Sequence, residues 1–302
     1  MQSKGHPPGH IWTILDILNW TTAFFRSRQI DSPRSSAELL LAHVLKVERI
    51  QLYLRHDQPL TPDELGCFKS IIKRRIDREP VAYIIGKKEF WSLELAVSGH
   101  CLIPRPETEC LVEKALSCLP QKAAPGNQTP WRILELGTGS GAIILAMAHE
   151  RPENLFFALD LSPAALKAAR ENARSLHLED KIQFLAGDWL TPLKSDSCFD
   201  MILSNPPYIP SDEIPGLQPE IRNFEPRMAL DGGETGLSSL HHIINFAGFH
   251  LRPGGKLLLE IGHDQGPGVI TAVDDSGMYE SVEVIKDYSG YDRVAIMSRK
   301  ST

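Results

Sequence analysis

The chain is expected to fold as an α/β protein: a seven-stranded, mostly parallel sheet preceded by a small helical bundle and a β-hairpin. Three observations predict it. Apolar side chains recur at helical spacing through the first 80 residues. From Trp131 onward, short apolar runs alternate with helical stretches. Between these two regimes lies a stretch rich in β-branched and aromatic residues. Alternating strands and crossover helices indicate a parallel sheet covered on both faces, and 302 residues suit about two domains.

In chain order, Ile11, Ile14, Leu15 and Leu18 share one helix face, as do Leu41, Val44 and Leu45, and later Leu65, Phe68, Ile72 and Ile76. "DSPRSSAELLLAHVL" offers Ser35 or Ser36 as a helix cap, and "LTPDEL" offers Thr61 as cap with Pro62 in the first turn. This bundle is expected over 1–80, closed by Pro80. "VAYIIGKKEFWSLELAVS" reads as two strands around Gly86-Lys87-Lys88, a hairpin linker over 81–100. The α/β domain is expected over 101–302. It opens with a helix carrying Leu111, Val112, Ala115 and Leu116, and residues 120–130 form a Pro/Gly-bearing surface linker. Strands follow at Arg132–Leu136, Leu155–Leu159, Ile182–Leu185, Phe199–Ser204, Lys256–Ile261, Ser281–Asp287 and Arg293–Ser298, the last two antiparallel. Helices intervene at Ala142–His149, Pro163–Leu176, Leu237–Leu251 and Val269–Asp275.

Composition narrows the function classes. No apolar run reaches the ~18 residues of a membrane span, and "MQSKGHPPGH" has no secretory core. Five cysteines without a CxxC pair argue against a disulfide framework and a zinc site, so a cytoplasmic protein is expected. Residues 1–85 hold 12 Lys and Arg against 9 Asp and Glu, net +3, whereas the remaining 217 hold 20 against 29, net −9. An acidic α/β domain disfavours tight binding to a phosphate backbone. The basic run "KSIIKRRIDR" is either a solvated helix face or a docking surface for an acidic or RNA-associated partner.

Two strand ends carry the chemistry. "ILELGTGSGAIILAMA" passes from a strand through Gly137, Thr138, Gly139, Ser140 and Gly141 into a helix, so the backbone can turn sharply and approach a ligand. That pattern alone fits an ordinary strand-to-helix turn or half of a dinucleotide fold. Glu135 before the glycines suits a cationic ligand better than a pyrophosphate. Asp160, 19 residues past Gly141, stands where a carboxylate takes ribose hydroxyls. Asp188 could accept from an adenine amine; Trp189 fits base packing and core packing equally. Together these residues indicate S-adenosyl-L-methionine rather than NAD.

The second strand end is "SNPPYIP", where prolines 206 and 207 stop both ladder and helix. The Asn205 side-chain carbonyl and the Pro206 backbone carbonyl can each accept from an NH2 group, and Tyr208 offers a flat face to a planar substrate. The acceptor this cradle fits is an amine on a planar system: an amide or the exocyclic amine of a base. Its lone pair is delocalised, so positioning supplies much of the acceleration, up to roughly 7–11 kcal/mol in favourable systems. Neither a metal nor a strong general base is required.

In order, "LIPRPETE" (102–109), "ELGTGSG" (135–141), "LD" (159–160), "GDW" (187–189), "NPPYI" (205–209) and "EPRMALDGG" (225–233) resemble the HemK/PrmC-type protein-(glutamine-N5) methyltransferases. The likeness covers nearly the whole chain. Asn-Pro-Pro-Tyr alone also resembles adenine-N6, cytosine-N4 and guanine-N2 methyltransferases; "PRPETE" and the helical N-terminal region narrow it. The resemblance implies a Rossmann-like class I SAM-dependent domain that methylates the Gly-Gly-Gln glutamine of peptide-chain release factors, leaving S-adenosyl-L-homocysteine and modulating translation termination. It implies Gly137 through Gly141, Asp160, Trp189 and Asn205 at the cofactor, and Asn205, Pro206, Pro207 and Tyr208 around the glutamine. Arg105, Pro106 and Glu107 then belong to a lid; the plainer role of "PRPETE" is a proline turn with Thr108-Glu109 starting the next helix. Thr235 in "GGETGL" departs from the family pattern.

Three functions follow from these readings: a release-factor methyltransferase whose bundle recognises protein, a nucleic-acid amine methyltransferase, and a non-catalytic cofactor-dependent binding protein. The first is expected, acting as a monomer without membrane or stable nucleic-acid partners.

Overall fold

The computed structural model describes residues 11–120, 129–196 and 198–301, which divide into two compact units, 11–86 and 87–301. The N-terminal decapeptide and most of the 120–130 linker lie outside the described residues.

The first unit contains five helices: α1 (Ile14–Ser27), α2 (Pro33–Leu45), α3 (Arg49–Leu54), α4 (Pro62–Ile76) and α5 (Val81–Ile85). Thr61 caps α4 as expected, and Glu64 closes a reciprocal capping box with Pro62 in the first turn. At α2 the expected cap moves. Pro33 opens the helix after Ser32, so Ser35 and Ser36 lie inside it. Phe25, Leu40, Leu41, Leu52 and Phe68 fill the core.

The hairpin also differs from expectation. Residues 81–85 are helical because the Ile84 N–H bonds back to the Pro80 carbonyl and Tyr83 and Ile84 bury their side chains. Gly86, at φ +80°, ends that helix instead of turning a hairpin. The hairpin proper is β1 (Lys87–Phe90) with β2 (Leu93–Ala96), turned by Trp91 and Ser92, both with positive φ. Phe90, Leu93 and Leu95 join the core of the second unit.

In that unit α6 (Glu109–Cys118) precedes β3 (Arg132–Leu136), α7 (Ala142–Glu150), β4 (Leu155–Asp160), α8 (Pro163–Ser175), β5 (Ile182–Ala186) and β6 (Phe199–Ser204). Then come α9 (Pro219–Phe224), α10 (Ser238–Ala247), β7 (Leu251–Glu260), α11 (Gly266–Ser276), β8 (Tyr279–Lys286) and β9 (Asp292–Arg299). The seven-stranded sheet has the order β5-β4-β3-β6-β7-β9-β8, parallel except for β9, which runs antiparallel to both neighbours. Helix α10 stops short of the expected Leu251 because the strand already begins there: Leu251 pairs with Phe199, the register slips across Pro253-Gly254-Gly255, and pairing resumes at Lys256. Apolar clusters cover both faces, one from α6 and α7, the other from α10 and α11.

The strand order places the site. From β3 the chain runs outward through β4 and β5, then returns to β6 on β3's other side. Ligands of open α/β sheets bind at this reversal, beyond the carboxyl ends of the strands.

Candidate active site

Leu136 ends β3 opposite Ser204 ending β6, and the Ser204 hydroxyl donates to the Leu136 carbonyl at 2.8 Å. This pairing sets the glycine loop and Asn-Pro-Pro-Tyr side by side. A cavity of about 460 Å³ opens there. Among its lining residues are Arg105, Thr108, Glu135, Gly137, Thr138, Gly139, Ser140, Asp160, Asp188, Trp189, Asn205 and Pro207. Gly141, Pro206 and Tyr208 lie outside that lining.

The glycine half is tied together locally. Gly137, Gly139 and Gly141 all have positive φ, and a Cβ on Gly141 would meet Ala169 at 3.2 Å, so the last glycine serves close helix packing. Asp160 grips the loop from β4: one oxygen accepts from the Gly139 N–H and the other from the Ser162 N–H, both at 2.8 Å. Burial raises its pKa against these bonds. Ser162, not Asp160, caps α8 through its side chain. Glu135 is buried under the loop, where Oε2 accepts from the Thr138 hydroxyl at 2.5 Å and the Ile144 N–H at 3.2 Å. Burial pushes its pKa up to about 8. Asp188 is exposed at the rim. Trp189 both lines the cavity and packs against the sheet core.

The acceptor half is assembled from distant segments. Arg105 donates to the buried Glu225 at 2.5 Å, and the other Glu225 oxygen accepts from the Ile103 N–H at 3.2 Å. This joins "LIPRPETE" to "EPRMALDGG". Thr108 does not cap α6 with its side chain; its hydroxyl accepts from Asn205 Nδ2 at 3.2 Å. The half-buried Tyr208 donates its hydroxyl to Glu260 at 3.3 Å, and burial raises the phenol's pKa. Gln265 Nε2 donates to the carbonyls of Tyr208 and Gly236 at 2.9 and 3.2 Å, clamping the strand end to the 231–236 loop. Thr235 is exposed on that loop, beside the Gly236 that makes the contact.

Glu225, Glu260, Gln265 and the site role of Thr108 escaped the sequence reading. Glu260 carried one signal: "LLLEIG" repeats the acid-before-glycine ending of "ILELG". Glu225 and Thr108 stood in the quoted stretches "EPRMALDGG" and "LIPRPETE" without their partners being legible, and Gln265 carried no signal.

A seven-stranded sheet with one reversed strand, a glycine turn after β3, its first strand in chain order, and an acid closing the next strand, β4, defines the class I SAM-dependent methyltransferase fold. Residues 16–86 match the PrmC N-terminal domain and residues 129–234 a methyltransferase domain. The chain is 43% identical to the release factor glutamine methyltransferase of Salmonella typhimurium, over 93% of this chain and 98% of that one. It is 36% identical to the enzyme of that name from Rhodopirellula baltica, over 95% and 97%. The chain therefore belongs to the release factor glutamine methyltransferase family. A solved human methyltransferase 10 domain containing protein shares the fold, with a TM-score of 0.53 and 17% identity over 70% of this chain and 90% of that one.

Proposed function

We propose that the chain transfers a methyl group from S-adenosyl-L-methionine to the side-chain amide nitrogen, N5, of the glutamine in the Gly-Gly-Gln motif of peptide-chain release factors. The observation that carries this reading is the placement of Asn205 in the same cavity as the glycine loop and Asp160. The family relatives favour a release factor over a nucleic-acid amine.

The residues present fit the cofactor. Three acids, Glu135, Asp160 and Asp188, line the cavity, which suits a ribose diol and an ammonium and repels a pyrophosphate. Gly137, Thr138, Gly139 and Ser140 give it close backbone contact, Gly141 holds that loop against α8, and Trp189 offers a ring to the base. When bound, the cofactor supplies an electrophilic methyl group on sulfur.

The chain's own work is positional. Asn205 Oδ1 and the Pro206 carbonyl accept from the two N–H bonds of the glutamine amide, aiming its lone pair at the methyl carbon. Pro206 and Pro207 keep those acceptors out of any ladder. Tyr208, anchored through its hydroxyl, presents a fixed ring to the planar amide, and Arg105 steadies the segment over the cavity. No strong base is needed, because the amide proton becomes acidic as the methyl group arrives and can pass to water. The helical domain recognises the release factor, and the reaction takes place in the cytoplasm with a monomeric enzyme.

Incubation with methyl-labelled S-adenosyl-L-methionine and a purified release factor, followed by peptide mapping, tests the proposal. Label is expected on the Gly-Gly-Gln glutamine and absent once that residue is replaced by alanine. Label elsewhere in the factor, or on RNA alone, refutes it.

A further inference from the structure

Residues 101–108 supply part of the cavity's lining: Cys101, Leu102, Pro104, Arg105 and Thr108. Side chains from remote parts of the chain hold this strap at two points. Asn205 Nδ2 donates to the Thr108 hydroxyl at 3.2 Å. Nearer the start, Glu225 accepts from the Ile103 N–H at 3.2 Å and from Arg105 Nη2 at 2.5 Å. The Glu225 side chain is 1% exposed and the Arg105 side chain 31%. Burying an ion pair is a weak source of stability, because desolvation offsets much of the attraction. A charged pair on the cavity wall therefore calls for a reason beyond holding the strap.

The charge of the cavity supplies one. Glu135, Asp160, Asp188 and Asp231 line it, and Arg105 is the one Lys or Arg among its lining residues. Burial pushes the pKa of Glu135 up to about 8, and Asp231 already pairs with Arg227 at 3.1 Å. Asp160 and Asp188 are thus the anions left to a ligand at neutral pH. S-adenosyl-L-methionine carries a sulfonium cation, whereas S-adenosyl-L-homocysteine carries a neutral thioether. A guanidinium stays charged at any working pH. Unmasked, it would repel the first of these and leave the second untouched. We infer that Glu225, by pairing with Arg105, cancels the guanidinium charge at the cavity wall and so preserves the site's preference for the sulfonium form of the cofactor over its neutral product. Glu225 acts through Arg105 and is a positioning residue. The inference rests on the reading that the cavity holds S-adenosyl-L-methionine.

The dimensions allow the effect. A cavity of about 460 Å³ is on the order of 10 Å across, no wider than the screening distance in about 0.1 M salt. Two unit charges about 8 Å apart change an affinity by about 2-fold in a water-like medium and by about 30-fold at the effective dielectric of a protein surface. Methyl transfer itself removes the charge: the sulfur keeps the bonding pair, the methyl carbon joins the amide nitrogen, and the amide proton leaves to water. A wall without a free cation thus retains the reactant form and lets the spent one go.

Calorimetric affinities for S-adenosyl-L-methionine and S-adenosyl-L-homocysteine, measured at neutral pH without a release factor, test this as a ratio. The two molecules differ only in the methyl group and its charge, so damage to the strap alone lowers both affinities in step. Glu225→Gln, which unmasks Arg105, should shift the ratio toward S-adenosyl-L-homocysteine by about 2–30-fold. Arg105→Gln, which unmasks Glu225 instead, should shift it the other way. The double variant carries neither charge and should return to the wild-type ratio, although it lacks the ion pair altogether. Urea midpoints identify the folded variants, and one folded single variant suffices. Affinities that fall in step, or a double variant that keeps the ratio of Glu225→Gln, overturn the inference. If the wild type binds neither compound, the cofactor reading falls and takes the inference with it; a wild type that binds both, with a ratio no variant moves, overturns the inference alone.

Discussion

Strands β3 and β7 flank β6 and end on the same pattern, Glu135-Leu136-Gly137 and Glu260-Ile261-Gly262. Both glutamates are buried, and burial raises the pKa of each, to about 8 and about 7. Their partners differ in kind. Glu135 is satisfied by Thr138 and Ile144, three and nine residues on, within its own strand-to-helix turn. Glu260 receives a hydroxyl from Tyr208, 52 residues away, and keeps one oxygen unpartnered among the described residues. One motif therefore builds a self-contained turn that lines the cavity, and its near copy ties a remote strand end to its own. A buried acid whose donors are local stabilises its own turn; one whose donors are remote couples the positions of the segments that supply them.

The strongest way to sharpen this contrast is Asn205→Ala. It removes the acceptor end and leaves the glycine loop whole, so kcat for release-factor methylation should fall about 10²–10³-fold, the usual cost of losing one oriented hydrogen-bonding group. Binding of S-adenosyl-L-homocysteine, followed by calorimetry, should weaken far less. Equal losses of rate and affinity would erase the distinction between the halves.

Gly236→Ala should act next, through the scaffold. A Cβ at this φ of +73° would lie 2.4 Å from the Tyr208 carbonyl oxygen and 2.7 Å from Gln265 Nε2. Overpacking of this kind costs about 1–3 kcal/mol, readable as a lowered urea midpoint, and activity should fall with it. A variant as stable and active as the wild type would show that the 231–236 loop does not support Asn-Pro-Pro-Tyr.

The last expected effect concerns pH. The folded pKa of Glu135, about 8, lies above its ordinary value of 4.5, so between these pH values the folded chain holds a proton that the unfolded chain has released. The associated stability is complete below the lower value and is lost as pH rises through the upper one. The urea midpoint should decline between about pH 5 and pH 8.5, and Glu135→Gln, uncharged throughout, should flatten that decline. An unaltered slope would assign the effect to Glu260, whose shift has the same sign.

Most sheet strands were legible as short apolar runs, several of them set between helical stretches, and Thr61 because cap, proline and acid fall within four residues. Gly86 misled. It follows an apolar run that satisfies strand and helix alike, and only the burial of Tyr83 and Ile84 chose the helix. Ser35 and Ser36 misled in the same way, since Pro33 had already opened α2. Within the site, the glycine loop, Asp160 and Asn205 announced themselves through strand ends. Glu225 did not, because the groups it holds, Ile103 and Arg105, lie 122 and 120 residues away.

By itself the sequence determined the strands of the main sheet and the helices between them, the glycine turn, the rigid proline corner and the sign of charge around the cavity. These rest on period, backbone restriction and residue chemistry, all of which act over a few neighbours. Tertiary structure alone decided that Leu136 lies against Ser204, that Thr108 forgoes its helix for Asn205, and that the buried Glu260 receives the Tyr208 hydroxyl. Hydrogen bonding has no memory of chain distance: a buried donor takes whichever acceptor the packed sheet brings within about 3 Å, and that choice is made only when the fold closes.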